Sequence, residues 1–386
     1  IVGDGLLALQ NLARFKRSLS QANFIAITGS VGKTSLKELC YQLLKINFIT
    51  EASAGNFNNH IGLPLNLANL DLATEYYIAE MGMNQAGEIA LLSEIVKPDQ
   101  VIISKIARAH IGNLGSLEAI IAAKCEILTG LVPNGLFYLN GEEPHASKII
   151  NKALKNYNLK KSQINLFGRH KEAKIKFLSS NLTKDLKLKL SFSLIGKSHK
   201  IYHALLNTYN KGFSEIALVA IFLALQQKIS LPKIFANLEN FALGKGRGAV
   251  YQLPAKQQLI LDESYNASPE AMANAIVNLS QIGEKLNLST IMIIGDMGEL
   301  GDKALAYHLE LLPLLKENSI DKVITIGNYA KSLYDKLPEK MRLASFAKID
   351  QINQLKPLLP AKTVIMIKGS NALKLSKMVS DLTLAE

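Results

Sequence analysis

The residues with the clearest chemical purpose are Thr28, Gly29, Ser30, Val31, Gly32, Lys33, Thr34 and Ser35. They follow a short apolar run, Phe24 to Ile27, and lead into a helical pattern that starts at Leu36. A glycine-containing turn between a strand and a helix N-terminus aims backbone N–H groups at an anion, and glycine lets the main chain approach it. A lysine and a hydroxyl after the second glycine supply a cation for the outer phosphates and a ligand for Mg2+. The stretch therefore reads as a phosphate cradle for a nucleoside triphosphate, with Lys33 at the β- and γ-phosphates and Thr34 on the metal. The longer Gly-x-x-x-x-Gly-Lys-[Ser/Thr] pattern puts its first glycine at position 27, where Ile27 stands, so this is the shorter Gly-x-x-Gly-Lys-Thr form. The alternative is an ordinary strand–turn–helix connection that carries the same residues.

Other groups could act beside that loop. Glu80 ends the run Tyr77-Ile78-Ala79. A carboxylate at a strand end near phosphates suits Mg2+, which takes one or two carboxylates together with phosphate oxygens and water. His110 follows a strand candidate at 100–105. Lys124 lies among Ile120, Ile121, Ala122, Ala123 and Cys125. Such surroundings lower an amine's pKa or demand a partner. A neutral amine there is open to modification, for instance by CO2; the alternative is a snorkelling lysine on a helix. Asp262-Glu263-Ser264-Tyr265-Asn266-Ala267-Ser268-Pro269 packs carboxylate, hydroxyl, phenol and amide groups into one strand-to-helix turn. Ser268 and Pro269 read as N-cap and first helical residue. Gly295-Asp296-Met297-Gly298-Glu299-Leu300-Gly301 ends another strand.

The elements that must position these groups alternate. Strand candidates 24–28, 76–81, 100–105 and 135–140 are separated by helical patterns near 34–45, 85–95 and 116–131. This argues for a mostly parallel sheet covered by helices, with ligands at the carboxyl ends of its strands. A helix over 1–20 would present Leu6, Leu7, Leu9, Leu12 and Phe15 as an apolar face. Residues 164–202 read as antiparallel strands with one wet face, followed by a helix over 211–227. The Gly244–Gly248 stretch is the linker candidate. Beyond it, strands at 258–262, 290–295, 322–327 and 363–367 alternate with helices near 269–284, 302–317 and 370–382. The expected fold class is α/β: a central P-loop-type ATPase domain with a mostly parallel sheet, then a smaller Rossmann-like α/β C-terminal domain.

A chain of 386 residues has room for two or three domains. Its 48% hydrophobic and 20% charged content is that of a globular protein. The strongest apolar stretch, Ile216 to Leu225, is too short to span a bilayer, so no membrane partner is expected. Cys40 and Cys125 have neither disulfide-framework nor zinc spacing and read as core thiols. The net charge of +12 attracts anions. The lysines of 152–200 are scattered without the aromatic stripe of a single-strand binder, so no nucleic acid is expected.

Taken together, these strings resemble the Mur ligase family. The family's loop is matched by Thr28–Ser35, its Asn-rich segment by Gly55-Asn56-Phe57-Asn58-Asn59-His60-Ile61-Gly62-Leu63-Pro64, and its metal-binding Glu by Glu80. The second-metal His falls on His110, the lysine that the family carbamylates on Lys124, and the inter-domain Arg on Arg247. The resemblance implies ATP and Mg2+ as cofactors, one Mg2+ on Thr34 and Glu80, and a second metal site at His110 and carbamylated Lys124. It implies Asn207, Asn210, Asp262, Tyr265 and Asn266 on adenine and ribose, and Arg247 on phosphate when the domains close. Two strings depart from the family pattern. His-Asn-x-x-Asn is Leu206-Asn207-Thr208-Tyr209-Asn210 here, and Lys-Gly-Ser-Arg is Lys368-Gly369-Ser370-Asn371.

The activity so implied is ATP-dependent amide formation through an acyl phosphate. Strings 262–269 and 295–301 resemble the branch whose substrates are UDP-N-acetylmuramoyl-tripeptide and D-alanyl-D-alanine. The alternatives are another Mur-type amide ligase, polyglutamylating or cyanophycin-like; an inactive fragment that only binds nucleotide; and a nucleotide-binding regulatory or nucleic-acid-handling protein, which the loop and the charge would also suit. The expected organisation is a linker helix over 1–20 from a missing N-terminal UDP-binding domain, an ATP-binding domain over 21–243 and a C-terminal domain over 244–386. A monomer in the bacterial cytoplasm is expected.

Overall fold

The computed structural model describes residues 1–108, 111–196, 200–349 and 355–383. Among them, two sheets carry the architecture. The first contains β1 (Asn23–Thr28), β2 (Thr50–Ala52), β3 (Tyr76–Glu80), β4 (Gln100–Ile103), β5 (Leu136–Asn140), β6 (Ile164–Gly168), β7 (Ile175–Leu182), β8 (Leu188–Leu194) and β9 (Ile201–Leu206), in the order β2-β3-β1-β4-β5-β6-β7-β8-β9. Pairing is parallel from β2 through β7 and antiparallel for β7/β8 and β8/β9. The expected antiparallel run therefore starts at β7. Buried β6 still belongs to the parallel part.

Side-chain alternation divides the β1 residues between two cores. Phe24 and Ala26 face the layer of helices Gly62–Ala68, Glu88–Val96 and Leu117–Cys125, with Tyr77, Val101 and Ile103. Ile25 and Ile27 face helices Lys33–Leu44, Phe213–Gln226 and Leu231–Asn240, with Ile78, Ile102 and Tyr138. A strand buried on both faces reads as a continuous apolar run, as Phe24 to Ile27 does. Cys40 and Cys125 are buried thiols, both pushed up to about 12 by burial.

The second sheet holds β10 (Ala249–Leu253), β11 (Gln258–Glu263), β12 (Ser289–Gly295), β13 (Lys322–Ile326), β14 (Arg342–Phe346) and β15 (Thr363–Lys368) in the order β10-β11-β15-β12-β13-β14. Among the described strands of this second sheet, only the β10/β11 pair is antiparallel. Both sheets fit the expected α/β class. The strand order of each is a matter of tertiary pairing.

Three expectations need correction. The N-terminal helix runs Gly5–Leu19, capped by Asp4, but it buries Gln10 and Ala13, while Leu6, Leu7, Leu12 and Phe15 are exposed. The small Ala13 lets the helix lie close to Gly62–Ala68, and Gln10 Nε2 donates to His60 O at 3.3 Å. The helix expected over 302–317 is two, Ala304–Leu309 and Leu311–Glu317. Pro313 has no N–H to give to Leu309. Over 370–382, a short turn at Asn371–Leu373 and a left-handed Lys374 precede the helix Leu375–Thr383.

Candidate active site

The phosphate loop leaves the carboxyl end of β1 in the middle of its sheet, between β3 and β4. Gly32 adopts φ 86°, a left-handed conformation open to glycine, and caps the helix Lys33–Leu44 without any side-chain cap. The first intrahelical bond is Leu36 N to Gly32 O at 2.9 Å, so the N–H groups of the turn before it have no helical acceptor. The segment behind the loop fixes its shape: Ser30 N donates to Lys105 O at 2.7 Å, Ser30 Oγ to Ala107 O at 2.9 Å, and Ser104 Oγ to Val31 O at 2.7 Å. Thr28 is buried and donates its hydroxyl to Met81 O at 2.8 Å, so it ties β1 to the end of β3. Thr34 and Ser35 are half-buried at the helix start.

Lys33 Nζ donates to Gly29 O at 2.9 Å. Burial lowers its pKa, Glu80 and Glu299 pull it up, and Arg247 pushes it down. Groups from the first sheet, the hinge and the second sheet thus share one electrostatic neighbourhood.

Glu80 is buried. Its Oε1 accepts from Asn58 Nδ2 at 2.9 Å and its N–H donates to Ser53 Oγ at 3.0 Å, while Oε2 has no hydrogen-bond partner. The nearest cation to Oε2 is Lys37 Nζ at 3.9 Å. Lys37 is itself fully buried, donating to Ser53 O at 2.7 Å and Gly55 O at 2.9 Å. Lys124 Nζ is also buried without a hydrogen-bond partner among the described residues. Its pKa lies well below the ordinary lysine value, first from burial, then from repulsion by Lys33, against the pull of Glu126, Glu80 and Glu88. A carboxylate oxygen and an amine of lowered pKa, both without a hydrogen-bond partner among the described residues, fit a divalent cation and a modified lysine beside the phosphate loop. His110 lies outside the described residues.

The hinge is drawn tight by Asp262. Its Oδ2 accepts from Gly246 N at 3.0 Å, its Oδ1 from Ser264 N at 3.0 Å and its carbonyl from Gly248 N at 2.7 Å. The Arg247 guanidinium lies 3.6 Å over the Tyr265 ring. Asn266 is exposed on the same turn. Asn210 donates through Nδ2 to Glu263 Oε1 at 3.2 Å and accepts at Oδ1 from Gly212 N and Asn278 Nδ2. Glu263 also receives Lys368 Nζ at 3.3 Å. Asn207 does not join this network. It is exposed and, with Thr208, Leu243 and Gly248, lines a cavity of about 750 Å³ behind the hinge, where Asn210 is absent from the lining.

Sequence reasoning did not single out Lys37 or the bridge from Arg108 to Glu270. Lys37 stands four residues after Lys33, between Leu36 and Leu39, so the signal was a charge on a helix's buried face. Arg108 Nε lies 2.8 Å from Glu270 Oε1 and NH1 lies 3.1 Å from Glu310 Oε2, joining the first sheet's loops to the second unit. No sequence signal pairs residues so far apart.

A phosphate loop on a parallel sheet, faced across a hinge by a second α/β unit, defines a two-domain nucleotide-dependent enzyme. Residues 27–210 match the family model for the Mur ligase middle domain, and residues 246–371 that for the Mur ligase glutamate ligase domain. The chain is 36% identical over 383 residues to the UDP-N-acetylmuramoyl-tripeptide–D-alanyl-D-alanine ligase of Rickettsia prowazekii, covering 98% of this chain and 82% of that one. It is 30% identical over 391 residues to the Bacillus subtilis ligase of the same name, covering 99% and 80%. A crystal structure of MurF from Acinetobacter baumannii superposes with a TM-score of 0.86 at 27% identity, covering 100% of this chain and 82% of that one. The chain belongs to the Mur ligase family.

Proposed function

We infer that this chain is an ATP- and Mg2+-dependent ligase that adds D-alanyl-D-alanine to UDP-N-acetylmuramoyl-tripeptide, a step in making the peptidoglycan precursor. The observation that carries this is the meeting of Lys33, Glu80 and Lys124 beside one phosphate loop, in a chain aligned over nearly its whole length with ligases of that activity.

ATP supplies the phosphoryl group that activates the tripeptide carboxylate, and Mg2+ supplies charge neutralisation. The chain's residues provide placement. Lys33 brings its amine to the cradle, where burial lowers its pKa and Glu80 draws it part of the way back up. Thr34 and the unpartnered Oε2 of Glu80 are the donors assigned to one Mg2+. Lys124, whose pKa burial and Lys33 lower, can in its neutral form attack CO2 through its nitrogen lone pair and lose a proton, becoming a carbamate. With His110, that carbamate is our reading of the second metal position. Asn207, Asn210, Asp262, Tyr265 and Asn266 are assigned to adenine and ribose, and Arg247 to phosphate. Closure of the second unit would shield the activated carboxylate from water.

We assign residues 21–243 to ATP binding, 244–386 to the closing unit and 1–20 to a linker helix. Among the described residues no helix is long and apolar enough to cross a membrane. The nucleotide-linked substrate favours a place in the bacterial cytoplasm.

The test is phosphate release by the full chain with ATP, Mg2+ and UDP-N-acetylmuramoyl-tripeptide. Release should require D-alanyl-D-alanine. Equal release with glutamate would instead favour a polyglutamylating relative, and release without any tripeptide would overturn the ligase reading.

A further inference from the structure

Buried polar side chains of both units meet around Asn210, and none of them has a part in the chemistry so far. Glu263 ends β11 and Lys368 ends β15, and the two are register partners at the carboxyl edge of the second sheet. Both are buried, and Lys368 Nζ donates to Glu263 Oε2 at 3.3 Å. Glu263 Oε1 is turned to the first unit, where it accepts from Asn210 Nδ2 at 3.2 Å and from the buried Tyr209 Oη at 3.4 Å. Asn278, buried on the helix Pro269–Leu286, donates through Nδ2 to Asn210 Oδ1 at 3.2 Å, and Gly212 N donates to the same oxygen at 2.9 Å.

A buried ion pair gains little net stability over an apolar pair of like size, so what it orients is the better guide to its use. Lys368 takes one oxygen of Glu263 and leaves the other as an acceptor for the first unit. The two ends of an asparagine amide are nearly alike in shape, and their partners decide which is nitrogen. At Asn210 a carboxylate faces one end, and two N–H donors face the other. Both lone pairs of Oδ1 are thereby engaged, whereas Nδ2 carries a second hydrogen and the residue is only half-buried. The amide is held in one orientation, chiefly by side chains that arrive with the second unit.

Resting on the assignment of Asn210 to adenine and ribose above, we propose that Glu263 and Asn278 are positioning residues for nucleotide binding. They hold the Asn210 amide in the orientation that meets the nucleotide, and Lys368 fixes Glu263 in turn. The first unit therefore reaches its full grip on ATP only with the second unit seated against it.

The test measures nucleotide affinity apart from turnover. In Glu263→Gln, Lys368 claims the one side-chain oxygen left, and an NH2 group then meets Asn210 Nδ2, so two donors face each other. Titration calorimetry of the full chain with Mg2+ and the non-hydrolysable analogue AMP-PNP should show Kd raised about tenfold by Glu263→Gln and by Asn210→Ala, as expected for one lost or misdirected hydrogen bond. The two changes together should be no worse than Asn210→Ala alone, because Glu263 acts through Asn210. In ligation, Glu263→Gln should raise KM for ATP in the same proportion and keep kcat at saturating ATP within about twofold. Asn278→Ala, which disturbs no charge, should also raise Kd, and it carries the test if Glu263→Gln does not fold. An unchanged Kd in Asn278→Ala or in a folded Glu263→Gln, or losses that add in the double variant, overturns the proposal. An unchanged Kd in Asn210→Ala is a different failure, which overturns the adenine assignment of Asn210 and the proposal with it.

Discussion

Lys37 Nζ stands 3.9 Å from Glu80 Oε2, and both side chains are almost wholly removed from solvent. The lysine is held by two backbone carbonyls, Ser53 O and Gly55 O, and the carboxylate by Asn58. The pair fastens the Asn-rich segment to the phosphate loop's helix.

Removing one partner of a buried ion pair leaves the other charge and its hydrogen-bonding groups uncompensated. Lys37→Met should therefore cost roughly 3 kcal/mol of stability. Glu80→Gln in the same background should return part of it, because the stranded charge is gone. Urea denaturation of the two single variants and the double variant measures this. Additive losses would show that the pair does not interact.

Lys33→Ala should abolish ligation, lowering kcat by at least about a hundredfold, the usual cost of losing one group aimed at developing charge. Because its partner Gly29 O is a loop carbonyl, stability should change little. Full activity in phosphate-release assays would reject the loop assignment.

Lys124→Ala should lose activity and recover part of it with added short carboxylates such as acetate or formate. These would stand in for the carbamate in the space the side chain leaves. Absence of rescue at any concentration would count against the carbamate. An independent readout is a carbonyl resonance from 13C-labelled CO2 that Lys124→Ala lacks.

His308 gives the stability a pH dependence of known sign. Burial lowers its pKa, although the Ala304 carbonyl and Asp296 pull upward. The ring is fully buried, with Nδ1 2.7 Å from Ala304 O and Nε2 accepting the Met297 N–H. The folded chain resists the proton that the unfolded chain takes up near pH 6.5. Stability should rise with pH up to that value and fall below it, with a slope of at most about 1.4 kcal/mol per pH unit from this group. Unfolding midpoints from pH 5 to 8 should lose this component in His308→Asn.

Arg108 bridges the units through Glu270 and Glu310 while keeping about a third of its own side chain exposed. An ion pair so wet contributes about 1 kcal/mol or less. Arg108→Ala should leave unfolding nearly unchanged, yet loosen closure and speed tryptic cleavage after Lys245. Cleavage at the unsubstituted rate would show that the bridge does not restrain the hinge.

The sequence alone carried the phosphate loop, because strand, turn, lysine and helix are contiguous and obey local geometry. It also carried most of the buried strands, whose apolar runs leave little choice. The amphipathic face at Leu6, Leu7, Leu12 and Phe15 misled, because which side of a helix is buried depends on what lies beside it. Tertiary structure decided that Lys37 and Asn58 converge on Glu80, that Lys124 Nζ has no hydrogen-bond partner among the described residues, and that Gly112 of the first unit meets Gly301 of the second. Each of these joins segments tens to hundreds of residues apart. Periodicity records only what a residue's chain neighbours require, whereas charge and burial act through space.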